Sequence, residues 1–574
     1  MRLICNVIIV LTIGVSWNGL RAEQASLTKG SENSASASTV FGGMPLGYTW
    51  YNDSSSSGRV AGSDDPGQLT FLGSDSADLF TKEVNESFKG VLALDYVSQP
   101  GGKYPVGFLN ASPAGQPWYG TMWTRDGGTF LRELVYWGYY ERAREVAQLM
   151  MDYVGTNSDG FVAFPRFIDP QRGRLSGSEM DGQTAAIIGM IALWERLPPE
   201  DPFRVRLYQF LHQPSSPVRG IHHFIESGPL VPGSGEFGGG KDHENFSVVQ
   251  NNLCALALLS AANMEEAMGD HAAARQWRKD AKTLFHNIDK YLINEKGTWI
   301  WGIDTKTLKP NQTDTDSAGK GGSGGLNGVL CMSADVLGFN PAAWPWQGAV
   351  VNGGKTFDEL YAFPLRKDQF EKYGFWGQMN YTHKGLLTSP SYGQGYALQD
   401  MLLLDKTTMA DHGVDFLAQA TYKSPNIIFS YTNQVYGRLS PYYFYERMYS
   451  PEARGKVELT AGCGPLNLVN VAEPLKVARL IAGVDDTSLK DVQIIPRVPP
   501  SWTGYRLENW PILTSRGLVR ADISYEKKDG KVNFVLQVRQ GGTIPKLAVR
   551  LPDAKGTVWK HQRNVATFQF TSDL

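Results

Sequence analysis

The sequence predicts a mainly α-helical fold, in which an outer ring of helices encloses an inner ring, followed by a small antiparallel β-sandwich. The rings are predicted because helical segments that are apolar nearly all round, at 248–262 and 464–484, alternate with amphipathic segments such as 141–155 and 273–292. A helix that is apolar on every side must be buried on every side, whereas an amphipathic helix meets water on one face. The sandwich is predicted because the pattern changes to a period of two within 519–538.

About twelve segments carry a helical pattern of apolar residues, with long Gly- and Pro-rich loops between them. No fixed sequence period relates these segments, which argues against a solenoid of helical repeats. The predicted helices lie near 74–96, 127–139, 141–155, 181–197, 201–212, 247–268, 271–294, 325–338, 355–372, 392–402, 404–421 and 464–484. Their alternation of apolar and amphipathic character predicts two concentric rings.

Two consecutive strands are the clearest part of the predicted β-sandwich. Apolar residues alternate with polar ones along both: Val519, Ala521, Ile523 and Tyr525, then Val532, Phe534, Leu536 and Val538. Asp529-Gly530 stands between them, and this dipeptide favours a tight hairpin turn. Further strands are predicted near 545–551 and 565–570.

The first 22 residues are predicted to be a signal peptide. Arg2 precedes an apolar stretch over 3–15, and Ala22 offers a small residue at the cleavage point. The stretch is too short to span a membrane. We therefore expect a secreted or periplasmic protein.

The remaining chain is expected to form three regions. They are a linker with a short N-terminal β or irregular segment at 23–73, the helical domain at 74–487, and the β-sandwich at 488–574. Since the chain is longer than one ordinary domain, one large and one smaller domain are expected.

Composition excludes several functional classes. The formal net charge is −2, so no basic surplus exists to neutralise a nucleic acid. The cysteines of the mature chain, Cys254, Cys331 and Cys463, lack metal-ligand spacing, and no His-Glu-x-x-His motif occurs. We expect no metal, no cofactor, no membrane span and a monomeric protein.

A first candidate binding segment spans 115–128 and is crowded with aromatic residues. Trp118 and Trp123 flank the approach to an Arg125-Asp126 pair at a predicted helix start. Asp126 could cap that helix. Alternatively, Arg125 and Asp126 bind adjacent hydroxyl groups of a sugar with the tryptophans beside them, because aromatic rings flanked by hydrogen-bonding groups suit the flat C–H faces of sugars.

This segment resembles a known motif. Pro117-Trp-Tyr-Gly120 followed by Trp123-Thr-Arg-Asp126 is similar to the Arg-Asp entry motif of the six-hairpin glycosidases, in particular glucoamylases and the glucosidase module of glycogen-debranching enzymes. The resemblance implies an (α/α)6 barrel with its active site in a funnel at the ends of the inner helices. It further implies an exo-acting, inverting hydrolase of an oligo- or polysaccharide.

A second candidate segment, 233–252, is a Gly-rich loop with three carboxylates. Glu236, Asp242 and Glu244 precede Phe246 and an apolar helix. In the glucoamylase-like pattern a general-acid Glu lies on such a loop, which implies Glu236 as the acid, although Gly235 replaces the family's tryptophan. Asp242 and Glu244 are the alternatives, as acids or substrate-binding residues, and a solvated acidic loop is the structural alternative.

A third candidate segment, 440–449, places Glu446 among four tyrosines and a phenylalanine. It resembles the debranching-type segment that carries the catalytic base, which implies Glu446 as the base and Glu458 as the fallback. An ion pair with Arg447 is the structural alternative. The pairing of Glu236 with Glu446 follows from the inverting mechanism, in which the two carboxyls are typically about 6.5–9.5 Å apart.

One further carboxylate is a candidate sugar ligand. Asp181 lies at the start of a predicted helix and is either an acceptor for a sugar hydroxyl or an N-cap.

Three other functions remain open on the sequence. An α-L-rhamnosidase or an unsaturated uronyl hydrolase would use the same barrel. A polysaccharide lyase would use a Tyr/His or Tyr/Arg pair, and a non-catalytic glycan-binding protein would not depend on Glu236 or Glu446.

Overall fold

The structure is a computed structural model. It describes residues 64–100, 104–111, 120–170, 173–174, 177–233, 245–300, 302–310, 346–383, 386–423, 426–429, 435–437, 440–449, 460–485, 491–553 and 556–574. The predicted signal peptide and the predicted site residues Trp118, Glu236, Asp242 and Glu244 lie outside this described part. The domain boundaries stay a prediction.

Helices dominate the chain up to residue 482. They are α1 (Asp75–Leu94), α2 (Thr124–Trp137), α3 (Tyr140–Asp152), α4 (Met180–Arg196), α5 (Pro202–His212), α6 (Pro217–Ser227), α7 (Val248–Met268), α8 (His271–Tyr291), α9 (Gln347–Tyr361), α10 (Pro364–Tyr373), α11 (Ser391–Leu403), α12 (Thr407–Lys423) and α13 (Leu468–Ala482). Among the described residues, no helix has the length and apolar character that crossing a membrane requires.

Short strands lie between the helices, and long strands follow them. The short ones are β1 (Gln68–Leu72), β2 (Met122–Trp123), β3 (Gly155–Thr156), β4 (Val162–Ala163), β5 (Phe167–Asp169), β6 (Gly173–Arg174), β7 (Asn245–Ser247), β8 (Gly302–Asp304), β9 (Gln378–His383), β10 (Leu386–Pro390), β11 (Asn426–Phe429), β12 (Val435–Gly437), β13 (Tyr445–Tyr449), β14 (Thr460–Pro465), β15 (Val484–Asp485) and β16 (Val492–Ile494). The long ones are β17 (Gly504–Thr514), β18 (Gly517–Lys528), β19 (Lys531–Gln540), β20 (Ile544–Asp553), β21 (Gly556–Val565) and β22 (Thr567–Asp573).

The inner ring contains α2, α4, α7, α11 and α13. α4 packs against α2 and α7, and α13 packs against α11 and α2. Every residue of α13 is buried, as its apolar sequence predicts. Amphipathic helices such as α3, α8 and α12 pack on the outside of α2, α7 and α11. The predicted mainly α-helical (α/α)6 barrel is confirmed.

Glycines allow α2 and α4 to approach closely. A Cβ atom on Gly128 would lie 2.6 Å from the carbonyl carbon of Ala185, and one on Gly189 would lie 2.9 Å from the carbonyl oxygen of Gly128. Only glycine fits between backbones at such distances. The starts of α2 and α4 are therefore held side by side.

Among the described residues, two helices differ from the sequence prediction; the helix predicted near 325–338 lies outside them. The segment predicted near 355–372 is divided into α9 and α10, because Pro364 stands at the first position of α10, where its missing N–H is tolerated. Helix α6 was not predicted; Ser216 caps it and Pro217 begins it. Proline, serine and glycine residues flank its 11 residues on both sides, a pattern that is typical of loops.

The C-terminal region contains two sheets, with strand orders β1-β17-β18-β19-β22 and β15-β16-β20-β21. The predicted hairpin is present: Lys528 pairs with Lys531 across Asp529-Gly530, whose φ angles of 50° and 71° fit a type I′ turn. Most pairings are antiparallel, and β16 with β20 is parallel. Strand β1 pairs with β17, so residues from before the barrel complete the first sheet.

Candidate active site

The predicted Arg-Asp pair forms a buried cluster with Asp181. The Arg125 Nε lies 2.8 Å from Asp126 Oδ1, and its Nη1 lies 3.8 Å from Asp181 Oδ2. Arg125 and Asp126 belong to the first turn of α2, and Asp181 belongs to the first turn of α4. Trp123 occupies the N-cap position of α2 and Glu179 that of α4. Neither aspartate stands at a cap position.

A short connecting segment fixes the starts of both helices. The Thr124 amide donates to the carbonyl of Arg166 at 3.1 Å, and the Thr124 hydroxyl donates to the carbonyl of Pro165 at 2.5 Å. On the other side, the Gln183 amide group bonds both backbone groups of Phe164, at 2.9 and 2.7 Å. The cluster is therefore held on rigid elements, as a binding site requires.

Trp123 provides an aromatic face beside the cluster. Strand β2, which contains Trp123, pairs with β5. The Arg166 guanidinium lies 5.0 Å from the centre of the Trp123 ring, and the Phe167 ring lies 5.1 Å away. The structure thus places Trp123 next to the cation of Arg166, and its role in binding sugar stays a prediction.

Glu179 joins this cluster, although the sequence pattern did not point to it. Its Oε1 lies 2.7 Å from the Arg166 Nε, and the residue is buried. Burial, with a smaller contribution from the negative charges of Asp181 and Asp126, raises the pKa of Glu179 to about 7, against the lowering effect of Arg125 and Arg166. The signal available in the sequence was the pair of carboxylates Glu179 and Asp181, two residues apart at a predicted helix start.

Glu446 lies on β13, at an irregularity in the sheet. Tyr445 pairs with Pro465 and Arg447 pairs with Ala461, so the register shifts at Glu446. Such bulges re-aim a side chain and are common beside active sites. Tyr445 is buried, whereas Glu446 is half-buried.

The Glu446 segment lies at the same end of the barrel as the Arg125 cluster. Pro465, the partner of Tyr445, ends β14 immediately before the start of α13. The Leu468 amide at that start donates to the Ala111 carbonyl at 3.4 Å, and the Ala111 amide donates to the Thr121 carbonyl at 3.0 Å. Thr121 leads into β2 and α2, which carry the cluster.

The loop predicted to carry the general acid is anchored at the start of α7. Gly233 and Asn245 form a bridge across its base, with a hydrogen bond of 2.7 Å between the Gly233 amide and the Asn245 carbonyl. The Asn251 side chain bonds both backbone groups of Val231. Glu236, Asp242 and Glu244 themselves lie outside the described residues, so their roles stay a prediction, as does that of Trp118.

One group among the described residues has the composition of a metal site. Ligand atoms of His212, Glu265 and Asp270 all lie within 4.8 Å of one another. Glu265 already accepts hydrogen bonds from Tyr208 and His212, each at 3.0 Å, and Asp270 caps α8. These contacts give each of the three side chains a structural role at the C-terminal end of α7, away from the cluster.

Comparison with known proteins establishes the fold. No protein-family model matches the chain, and no curated protein matches it in sequence. The α-L-rhamnosidase from Dictyoglumus thermophilum superposes with a TM-score of 0.54 at 12% identity, over 89% of this chain and 51% of that one. The GH78 family rhamnosidase of Bacillus sp. GL1 superposes with a TM-score of 0.50 at 14% identity, over 82% and 42%.

The chain spans about half the length of each of these two proteins. At such low identity the likeness establishes the fold alone. The chain has the six-hairpin, glycosidase-like fold that the Arg125-Asp126 motif predicts.

Proposed function

We propose that this protein is a glycoside hydrolase that inverts configuration and removes terminal sugars. The observation that carries the proposal is the cluster of Arg125, Asp126 and Asp181 beside Trp123. A guanidinium with two carboxylates can bind several adjacent hydroxyl groups, and an indole ring can pack against the C–H face of the same sugar.

The depth of the cluster supports an exo mode. The carboxylates of Asp126 and Asp181 are almost completely buried, at the starts of two closely packed inner helices. A pocket with a closed floor accepts the end of a chain, whereas an internal residue of a polysaccharide needs a site that is open on two sides.

The proposed chemistry uses two carboxyl groups at this end of the barrel. Glu446 is the base that takes a proton from water as the water attacks the anomeric carbon, and an acid protonates the departing glycosidic oxygen. The sequence assigns the acid to Glu236, with Asp242 and Glu244 as alternatives.

Two classes of substrate are favoured for the proposed hydrolase. The Arg-Asp motif favours α-glucosides, as in glucoamylases. The fold likeness to two rhamnosidases makes α-L-rhamnosides the second class. The leader predicted over 1–22 supports an exported enzyme that meets its substrate outside the cytoplasm.

The test is hydrolysis of α-glucosides, α-L-rhamnosides and unsaturated oligouronides by the full chain, with the anomer of the first product identified by NMR. We expect the inverted anomer. The retained anomer would overturn the inverting mechanism. A product that absorbs ultraviolet light would indicate a lyase, and binding without turnover would indicate a glycan-binding protein.

The Arg125→Lys variant tests the sugar site. Lysine keeps the charge but loses the planar fork, so we expect KM to rise by about 10- to 100-fold, which corresponds to the loss of one charged hydrogen bond. Arg144→Lys is the matched control, because Arg144 forms a similar two-point ion pair with Asp201 on the outer ring. Equal effects of the two substitutions on KM would exclude Arg125 from the sugar site.

A further inference from the structure

We propose that Glu179 is the catalytic proton donor of this site. The inference rests on the proposed hydrolase function and replaces the acid that the sequence assigns to the 234–244 loop. It follows from where the Glu179 carboxyl lies, from the charges around it and from its contact with Arg166.

In exposure, Glu179 lies between the two aspartates of the cluster and its partner Arg166. The side chains of Asp181 and Asp126 are 0% and 5% exposed and that of Arg125 is 12% exposed, and we take these three groups as the floor of the sugar site. Glu179 is 8% exposed, and its partner Arg166 is 46% exposed and rests on Trp123. If the terminal sugar lies on the floor, its leaving group points to the opening, so the bond to be cleaved lies at the level of Glu179.

The backbone directs Glu179 into the site. Its φ and ψ angles of −109° and 136° are extended, so successive side chains point to opposite sides. Ser178 and Met180 line a pocket of about 70 Å³ against α6. Glu179 points the other way, to Arg166 and the cluster.

The charges of the cluster leave one proton with Glu179. Glu179, Asp126 and Asp181 are three carboxyl groups, and Arg125 and Arg166 are two guanidinium groups. Asp126 and Asp181 face Arg125, whose side chain is 12% exposed, whereas Arg166, the partner of Glu179, is 46% exposed and screened by solvent. The pKa of Glu179, raised to about 7 chiefly by burial, agrees with a group that still holds its proton at neutral pH.

The contact with Arg166 stabilises the ionised form of Glu179, which is the form present after it has given up its proton. As the C–O bond breaks, its electron pair goes to the glycosidic oxygen, which takes the proton of Glu179. The resulting Glu179 carboxylate is then stabilised by the guanidinium of Arg166, 2.7 Å away in the structure. Water forms the new bond to the anomeric carbon and gives its proton to Glu446. Solvent then takes this proton from Glu446 and returns one to Glu179, which restores both groups.

The experiment compares Glu179→Gln with the wild type on two substrates that share a sugar. One has an alkyl or sugar leaving group, and the other has a 2,4-dinitrophenyl leaving group, which departs without protonation. We expect kcat on the first to fall by about 10²–10⁴-fold and kcat on the second to fall by less than about tenfold. In the wild type, kcat/KM should fall as the pH rises past about 7, because Glu179 loses its proton. In the variant this fall should be absent, because the amide of glutamine does not titrate.

Glu145→Gln is the matched control. Burial also raises the pKa of Glu145 to about 7, but this residue lies on α3 of the outer ring and accepts a hydrogen bond from Tyr96. The control should leave both substrates and the pH profile unchanged. A purely structural role for Glu179 would lower kcat on both substrates alike, which would overturn the inference.

Two other outcomes also overturn it. Glu179→Gln with wild-type kcat on both substrates is one. The other is that kcat falls more on the substrate with the poor leaving group in Glu236→Gln, Asp242→Asn or Glu244→Gln, while Glu179→Gln shows no such difference between the two substrates. In either case the proposed hydrolase function stands, whereas a wild-type chain that turns over no glycoside contradicts the function and the inference together.

Discussion

Replacing Glu446 by Gln is expected to lower kcat by about 10²–10⁴-fold on every glycoside that the protein hydrolyses. Glutamine has nearly the same shape but cannot take the proton of the attacking water. Unlike the loss expected from replacing the acid, this loss should be the same for good and poor leaving groups. Steady-state kinetics with the two substrates of shared sugar measure the difference.

Glu458→Gln is the control for this substitution, because the sequence offers Glu458 as the fallback base. Thermal unfolding of Glu446→Gln should match that of the wild type, since Glu446 is half-buried and lies at a bulge of β13; Glu458 lies outside the described residues. If Glu458→Gln abolishes turnover while Glu446→Gln retains it, the base has been assigned to the wrong residue.

The Arg479→Met substitution is expected to lower the free energy of unfolding by about 3–5 kcal/mol. Arg479 on α13 donates to both carboxylate oxygens of Glu133 on α2, at 2.9 and 2.6 Å, and both side chains are buried. Without the guanidinium, the buried Glu133 carboxylate keeps the hydrogen bond from the Trp137 indole N–H, at 3.3 Å, but loses its ion pair with Arg479. Urea unfolding followed by circular dichroism measures the loss.

Two further variants make this prediction specific. Arg550→Met removes an ion pair with Asp405 at the surface and should cost less than about 1 kcal/mol. The double variant Arg479→Met with Glu133→Leu should recover most of the lost stability, because no unpaired charge stays buried. A double variant as unstable as Arg479→Met would show that packing, not charge burial, dominates at this contact.

Local patterns predicted the elements of the fold. The apolar character of α7 and α13 required burial on all sides, and the Asp529-Gly530 turn required two positive φ angles that Asp and Gly tolerate. The Arg125-Asp126 motif pointed to the correct barrel. These features depend on residues close together in the sequence.

The tertiary structure decided which of these residues meet. Asp181 joins Arg125 because Gly128 and Gly189 let α2 and α4 approach. Glu179 meets Arg166 because the segment that carries Arg166 folds over Trp123. Neither contact can be predicted from the local spacing of apolar residues, since each depends on how separate segments pack.

The sequence by itself thus determined the ring of buried helices, the C-terminal hairpin and the Arg-Asp motif, because burial period and turn chemistry are local properties. Only the tertiary structure decided that β1 joins β17, that the register shifts at Glu446, and that the carboxyl of Glu179 is buried beside Asp181 and Arg166. These depend on distances and on exclusion of water, which arise when distant segments pack together.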